Sequence, residues 1–163
     1  MAKQPEPRVI VGVDRSIPGL AALRFAVAEA RRRGVPLHAV RVRPELTPEE
    51  CEEIDAAFAD AFGAVPKDLR IYREVLIGQV AEALTRRAHY STDVLVVGTD
   101  AHGWWHALWF GSISRSCLRR AHCPVLVVPG PEMALSARRR RRWTPHRRDL
   151  WAGYEYETPI APS

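Results

Sequence analysis

Two glycines, and the serines beside the second of them, are the residues of this sequence best suited to bind an anion. Gly98 ends the apolar run 94–97, and Gly111 precedes Ser112 and Ser114 at the start of a predicted helix. The first N–H groups of a helix lack partners within it and carry the positive end of its dipole, and serine hydroxyls add further donors. The spacing therefore predicts a phosphate site in a loop between a strand and a helix.

Ordinary structural roles can explain the same residues. Ser112 would then cap the predicted helix, while Gly98 and Gly111 would only let the chain turn. The residue types alone leave the phosphate site and the structural roles open.

Strands and helices alternate along the whole sequence around this loop. The predicted strands cover residues 8–13, 37–42, 70–76, 94–98 and 125–128, and the predicted helices begin near residues 19, 47, 77 and 112. This alternation predicts an α/β domain with a mainly parallel sheet and right-handed crossovers. Ligands of such sheets bind beyond the carboxyl ends of the strands, where Asp14, Val42 and Gly98 are expected.

Charge divides the 163 residues into a near-neutral domain and a basic tail. The net charge is +5, and seven of the 24 Lys and Arg residues lie from Arg138 to Arg148, in a stretch without an apolar period. We therefore predict an extension over residues 1–7, a domain over 8–130 and a flexible, disordered tail over 131–163. The arginine run could bind nucleic acid or an acidic partner, or it could have no dedicated partner.

Several classes of function lack their sequence patterns here. No apolar run approaches the roughly 20 residues that cross a bilayer, and no secretion signal begins the sequence, so we expect a cytoplasmic protein without a membrane span. Cys51, Cys117 and Cys123 show neither disulfide nor zinc spacing, and the histidines do not complete a metal site. No nucleophile, Walker or metalloprotease motif is present, so we expect no catalytic residues and at most slow hydrolysis of a bound nucleotide.

Three segments together resemble the universal stress protein family. They are VIVGVDRS, LIGQVAEAL and VVGTDAHGWWHALWFGSISRSCLRRAHCPVLVV, and the resemblance covers residues 8–129. Nucleotide-binding members carry glycine, two residues, glycine, nine residues, and then glycine before Ser or Thr. Gly98 and Gly111 with Ser112 match this spacing, whereas Ala101 replaces the middle glycine. The resemblance implies a five-stranded, mainly parallel, Rossmann-like domain similar to the adenine nucleotide alpha hydrolases.

The resemblance also implies an adenine nucleotide site, with ATP as its ligand. In nucleotide-binding members the residue at Asp14 lies beside the adenine, and Val13, Val40 and Val42 would form an apolar wall. Asp14 could equally be a turn residue that accepts hydrogen bonds from the amides of Ser16 or Ile17. The implied site residues are Val13, Asp14, Val42, Val97, Gly98, Ala101, Gly111, Ser112, Ile113 and Ser114.

The loop between Gly98 and Gly111 contains an acidic residue and several aromatic residues that would affect nucleotide binding. Asp100 would repel a triphosphate unless Mg²⁺ or an arginine such as Arg15 or Arg115 intervened. The loop also contains three tryptophans and a phenylalanine, which could pack against the sheet or a partner, or could stack on a base. ATP, with Mg²⁺ as a possible companion, is therefore the expected cofactor.

The resemblance implies a homodimer formed through the last strand, from Pro124 to Val128. The expected function is that of a regulatory protein in the stress response, which binds ATP and acts through its conformation or its dimer contacts. The alternative is a structural dimer that binds no nucleotide and uses the arginine tail to contact nucleic acid or an acidic partner.

Overall fold

The computed structural model describes residues 6–45, 50–99 and 112–130, without the side chains of residues 50 and 51. Within these ranges strands and helices alternate, as the sequence predicts. The elements are β1 (Val9–Gly12), α1 (Ile17–Arg33), β2 (Leu37–Arg43), α2 (Glu50–Phe62), β3 (Ile71–Ile77), α3 (Val80–Arg87), β4 (Val94–Thr99), α4 (Ser112–Arg120) and β5 (Val125–Pro129).

The five strands form one parallel sheet in the order β3-β2-β1-β4-β5. At its centre Val11 of β1 pairs with Ala39 of β2 on one side and with Val96 of β4 on the other. The chain builds the sheet outward from β1 to β3 and then returns to the opposite side of β1 with β4. The strand order therefore reverses between β1 and β4, which is where parallel α/β sheets bind ligands. The predicted α/β fold with a five-stranded parallel sheet is confirmed.

Helices cover both faces of the sheet because successive residues of each buried strand point to opposite faces. On one face, Val9 and Val11 pack with apolar residues of α1 and α2, including Leu23 and Phe58. On the other face, Ile10 joins a second cluster that contains apolar residues of β2, β4, α3 and α4. The two clusters account for the nearly continuous aliphatic sequences of β1 and β4.

The first helix is defined by residues at its two ends. Its N-cap is Ser16, whose hydroxyl accepts a hydrogen bond from the amide of Gly19, and Pro18 fits the first turn because its missing N–H has no partner there. Gly34 ends the helix with φ of 66°, a left-handed conformation that glycine adopts without strain. The helix begins at Ile17, two residues before the predicted start.

The third helix begins later than the sequence predicts. Ile77 was expected to open it, but Ile77 is the last residue of β3 and pairs with Arg43 of β2. Gly78 then turns the chain with φ of 130°, and α3 starts at Val80. Only Gly78 and Gln79 separate the apolar residues of β3 from those of α3, so the sequence pattern alone leaves the exact boundary open.

Among the residues that the structure describes, no helix has the length and apolar character needed to cross a membrane.

Candidate functional site

A crevice lies beyond the carboxyl ends of β1 and β4, at the reversal of strand order. It consists of two cavities of about 190 and 200 Å³. Both are lined by Asp14, Gly98 and Ile113, so the cavities adjoin. Their combined volume falls within the roughly 300–1,000 Å³ that is typical of small-molecule sites.

The first cavity has mainly aliphatic walls. They come from three strands, from α3 and from the start of α4: Gly12, Val13, Val40, Val42, Val80, Leu84, Val97, Gly98 and Ile113. Asp14, Arg41 and Arg43 also line it. A cavity with apolar walls and a few polar groups suits a flat ring such as a nucleobase.

The second cavity is more polar and lies at the amino-terminal ends of two helices. Its lining includes Ser16 and Gly19 at the start of α1, and Ser112 and Ser114 at the start of α4. The peptide dipoles of both helices place partial positive charge at these ends. This cavity therefore suits an anionic group such as a phosphate.

Gly98 is required by close packing between β4 and α1. A Cβ atom on Gly98 would lie 2.6 Å from the carbonyl oxygen of Pro18 and 3.1 Å from the amide nitrogen of Gly19. Gly98 is not among the glycines with positive φ, so a turn is not what demands glycine here. Its missing side chain lets the start of α1 approach the end of β4 and brings both into the crevice.

Asp14 has the turn geometry that the sequence allows as one alternative. Its Oδ1 atom accepts hydrogen bonds from the amide of Ser16, at 2.8 Å, and from the Ser16 hydroxyl. The Ser16 hydroxyl oxygen in turn accepts from the amide of Gly19 at 3.1 Å. These bonds fix the start of α1, and Asp14 still lines both cavities, so the structural role leaves room for a role in binding.

Ser114 connects α4 to the strand that ends in the crevice. Its side chain is buried, and its hydroxyl donates a hydrogen bond to the carbonyl oxygen of Gly98 at 3.2 Å. The hydroxyl proton is thus used between α4 and β4. Ser112, which is exposed at the first position of α4, is the better placed of the two hydroxyls to contact a ligand.

The structure brings together the predicted site residues that it describes. Val13, Val42 and Val97 line the aliphatic cavity, Ser112 and Ser114 line the polar one, and Asp14, Gly98 and Ile113 line both. Ala101 and Gly111 lie outside the described residues, as do Asp100, the aromatic residues of the loop and the basic tail.

Sequence reasoning missed the contributions of α1 and α3 to the crevice. Pro18 and Gly19 approach Gly98, whereas Val80 and Leu84 of α3 complete the aliphatic wall. The clearest available signal was Gly19, because a glycine inside the first turn of a helix lowers helix stability and therefore suggests close packing.

Two arginines near the crevice bind to α2. Arg15, between Asp14 and Ser16, donates from Nε to Asp60 at 2.7 Å, and this bond raises the pKa of Arg15. Arg41 forms an ion pair with Glu53 at 3.2 Å. The Arg15 guanidinium, considered from sequence as a counter-charge for Asp100, is thus already paired with a carboxylate.

Residues 6–45, 50–99 and 112–130 give little support to a metal site or to a reactive cysteine. These ranges contain no group of three or more His, Cys, Asp or Glu residues that could hold a metal ion. Cys117 is buried, and burial raises its pKa to about 11, so its thiol is protonated at neutral pH. Cys123 is half-buried, and burial raises the pKa of its thiol as well.

Comparisons of sequence show which proteins this chain is similar to. The model of the universal stress protein family matches residues 7–129. One universal stress protein of Mycobacterium tuberculosis is 26% identical over 148 residues, which cover 80% of this chain and 46% of that protein. A second is 28% identical over 139 residues, with 76% and 47% covered. The chain therefore spans about half the length of these relatives.

Solved structures show the same fold. A universal stress protein from Archaeoglobus fulgidus superimposes with a TM-score of 0.60 at 26% identity, covering 74% of this chain and 97% of that chain. A universal stress protein in complex with cAMP gives 0.58 at 24% identity, with 78% and 99% covered. An Archaeoglobus fulgidus universal stress protein in complex with dAMP gives 0.52 at 22% identity, with 74% and 96% covered.

Proposed function

Because this chain belongs to the universal stress protein family, we propose that it binds an adenine nucleotide, ATP, in the crevice between β1 and β4. It acts as a cytoplasmic regulatory protein of the stress response, through its conformation or its dimer contacts rather than as an efficient enzyme. The observation that carries the proposal is the junction of an aliphatic cavity with a polar cavity at two helix starts. A nucleotide has the same division into an apolar base and an anionic phosphate.

Each part of the ligand has a matching region of the crevice. The adenine would occupy the cavity walled by Val42, Val80 and Val97, and the phosphates would approach Ser112 and the first amides of α4. Adenine nucleotides are the ligands to test first because two structures with this fold contain cAMP and dAMP. Mg²⁺ would offset the negative charge of the triphosphate.

Ser112→Asp tests the phosphate end of this proposal. We expect the full-length protein to bind ATP with Mg²⁺ in isothermal titration calorimetry, and the variant to bind it at least about tenfold more weakly. The new carboxylate would repel the phosphates, whereas an acidic residue at a helix start is favourable for the fold. Adenosine, which carries no phosphate, should bind both proteins equally.

Ser116→Asp is the matched control because it adds the same charge to α4, at a residue that does not line either cavity. It should keep the ATP affinity of the parent protein. A folded parent protein that shows no binding heat at millimolar ATP would refute the proposed function. Equal loss of affinity in the two variants would instead refute the placement of the phosphates at Ser112.

We also propose that the chain forms a homodimer through β5. In the sheet that the described residues form, this strand lies at one edge, next to β4 alone, and Val125, Leu126, Val127 and Val128 are only half-buried in the single chain. An apolar edge strand with unpaired backbone groups is a surface that a second copy can cover.

Light scattering during size-exclusion chromatography tests the dimer. We expect a mass of twice 18.4 kDa at micromolar concentration, and slower hydrogen exchange of β5 amides than in a diluted sample. A mass of 18.4 kDa at every concentration would show that β5 does not form a stable dimer.

A further inference from the structure

A cluster of charged side chains joins three elements toward the amino-terminal end of β2, away from the crevice. Glu74 of β3 accepts hydrogen bonds from Arg87 at 2.5 and 2.7 Å, and it contacts Nδ1 of His38 on β2. Arg87 Nη2 also lies 2.9 Å from that Nδ1 atom. Arg87 is the last residue of α3, so these contacts hold the carboxyl end of α3 to the sheet.

A second ion pair extends the cluster to the segment before β1. Arg8 donates two hydrogen bonds to the carboxylate of Asp93, at 2.7 and 3.0 Å, and a weaker one to the carbonyl oxygen of Arg87 at 3.4 Å. Two rings flank the charges: Tyr72 stacks on His38 at 4.7 Å, and the Arg8 guanidinium lies 5.3 Å from the ring of Tyr90.

The charges of the cluster balance only while His38 is neutral. Arg8 and Arg87 then match Glu74 and Asp93 in number. A neutral imidazole nitrogen can either accept a hydrogen bond from Arg87 or donate one to Glu74, whereas imidazolium can only donate. Protonation of His38 places a third cation beside the two arginines, and where Nδ1 accepts from Arg87 it also removes that hydrogen bond.

The environment of His38 opposes its protonation. Burial is the main cause that lowers the pKa of His38, the charges of Arg87 and Arg8 lower it further, and Glu74 acts in the opposite direction. Burial would raise the pKa of Glu74, but the hydrogen bonds from Arg87 and His38 lower it. The cluster is thus built for a neutral ring between an ionised carboxylate and a guanidinium.

The same helix forms a wall of the nucleotide site. Val80 and Leu84 of α3 line the aliphatic cavity, and Leu84 is buried. Val80 and Arg87 are the first and last residues of the eight-residue helix α3, and the length of such a helix places them roughly 10 Å apart along its axis. A short rigid helix therefore connects the charged cluster at one end to the candidate adenine wall at the other.

We propose that Glu74 and Arg87 are positioning residues for the nucleotide site, and that protonation of His38 weakens their hold on α3 and lowers nucleotide affinity. The effect on affinity depends on the proposed function, whereas the effect on α3 does not. The coupling has a defined direction. The folded protein disfavours the His38 cation. The contacts of Glu74 and Arg87 that fix α3 are therefore intact above pH 6.5, the ordinary pKa of histidine, and they are lost as the pH falls through the lower pKa that His38 has in the folded protein.

His38→Gln tests the hold on α3 without any ligand. The glutamine amide can donate to Glu74 and accept from Arg87, but it does not titrate. Hydrogen exchange of the full chain, corrected for the intrinsic effect of pH, would compare α3 with α1 at pH 7.5 and 5.5. We expect protection of α3 relative to α1 to fall about fivefold in the parent protein and to stay constant in the variant. His122→Gln, which removes an exposed histidine after α4, should behave like the parent protein.

The same proteins measure the coupling to the nucleotide. ATP affinity should fall about fivefold more between pH 7.5 and 5.5 in the parent protein than in His38→Gln, because protonation of ATP itself affects both equally. Equal pH dependence of α3 protection in parent and variant would overturn the inference. If the protection of α3 changes with pH as expected but ATP does not bind at either pH, the proposed function would be refuted instead. If His38→Gln does not fold, Glu74→Gln should loosen α3 already at pH 7.5, and unchanged α3 protection would overturn the inference.

Discussion

Gly98→Ala is expected to lower the free energy of unfolding by about 3 kcal/mol. The new methyl group would lie 2.6 Å from the carbonyl oxygen and 2.8 Å from the carbonyl carbon of Pro18. Real Cβ contacts are longer than this, and the neighbouring atoms belong to the backbone of α1 rather than to a mobile side chain end. The start of α1 would have to move away from β4. Urea denaturation followed by circular dichroism measures the loss.

Gly130→Ala is the matched control because it approaches the same proline. Its Cβ would lie 3.7 Å from Cβ of Pro18, an ordinary van der Waals distance, so stability should change by less than about 0.5 kcal/mol. Equal stability of the parent protein and Gly98→Ala would show that α1 does not pack on β4 as closely as described.

The Gly98 variant also bears on the site, because α1 and β4 both reach into the crevice. If the proposed nucleotide site is correct, moving the start of α1 displaces Ser16 and Gly19 from the polar cavity and weakens ATP binding. Gly98 would then contribute to ATP binding by allowing α1 to pack on β4, rather than by contacting the phosphates itself.

Arg8→Met should destabilise the protein by about 4 kcal/mol, the second large effect. Asp93 has a fully buried side chain, and its carboxylate accepts two hydrogen bonds from Arg8 and one from the amide of Tyr90. Methionine fills similar space but leaves the carboxylate in the interior without its cation. Such an unpaired buried charge costs several kcal/mol, whereas an exposed charge does not. Chemical denaturation at pH 7 gives the value.

Arg70→Met provides the comparison for the same substitution at the surface. Arg70 pairs with Glu6, and both side chains are more than half exposed, so the loss should stay below about 1 kcal/mol. A similarly small loss for Arg8→Met would mean that water reaches the Asp93 carboxylate in the variant.

Much of the fold could be predicted because each element carries its own local signal. Aliphatic runs such as those of β1 and β4 fit strands buried on both faces, and alternation with helices leaves a parallel sheet as the expected arrangement. The boundaries of α1 and α3 were less predictable. Ile77 illustrates the reason, since only its pairing with Arg43 across the sheet assigns it to β3 rather than to the next helix.

The candidate site could be predicted for the residues that lie on strand ends or helix starts. Asp14, Val42 and Gly98 follow from the rule that ligands bind beyond the carboxyl ends of parallel strands. The roles of individual atoms did not follow. Whether a serine hydroxyl faces a ligand or a carbonyl oxygen depends on packing, and Ser114 was found to donate to Gly98.

The sequence by itself determined the α/β class, the order of the elements, the family and the position of the crevice, because these depend on local periodicity and on residues near each other along the chain. Only the tertiary structure decided that Gly98 is needed for contact with Pro18, that α3 completes the aliphatic wall, and that His38, Glu74 and Arg87 meet at its end. These contacts join residues distant in the chain. Their distances, burial and charge balance arise only when the sheet brings the elements together.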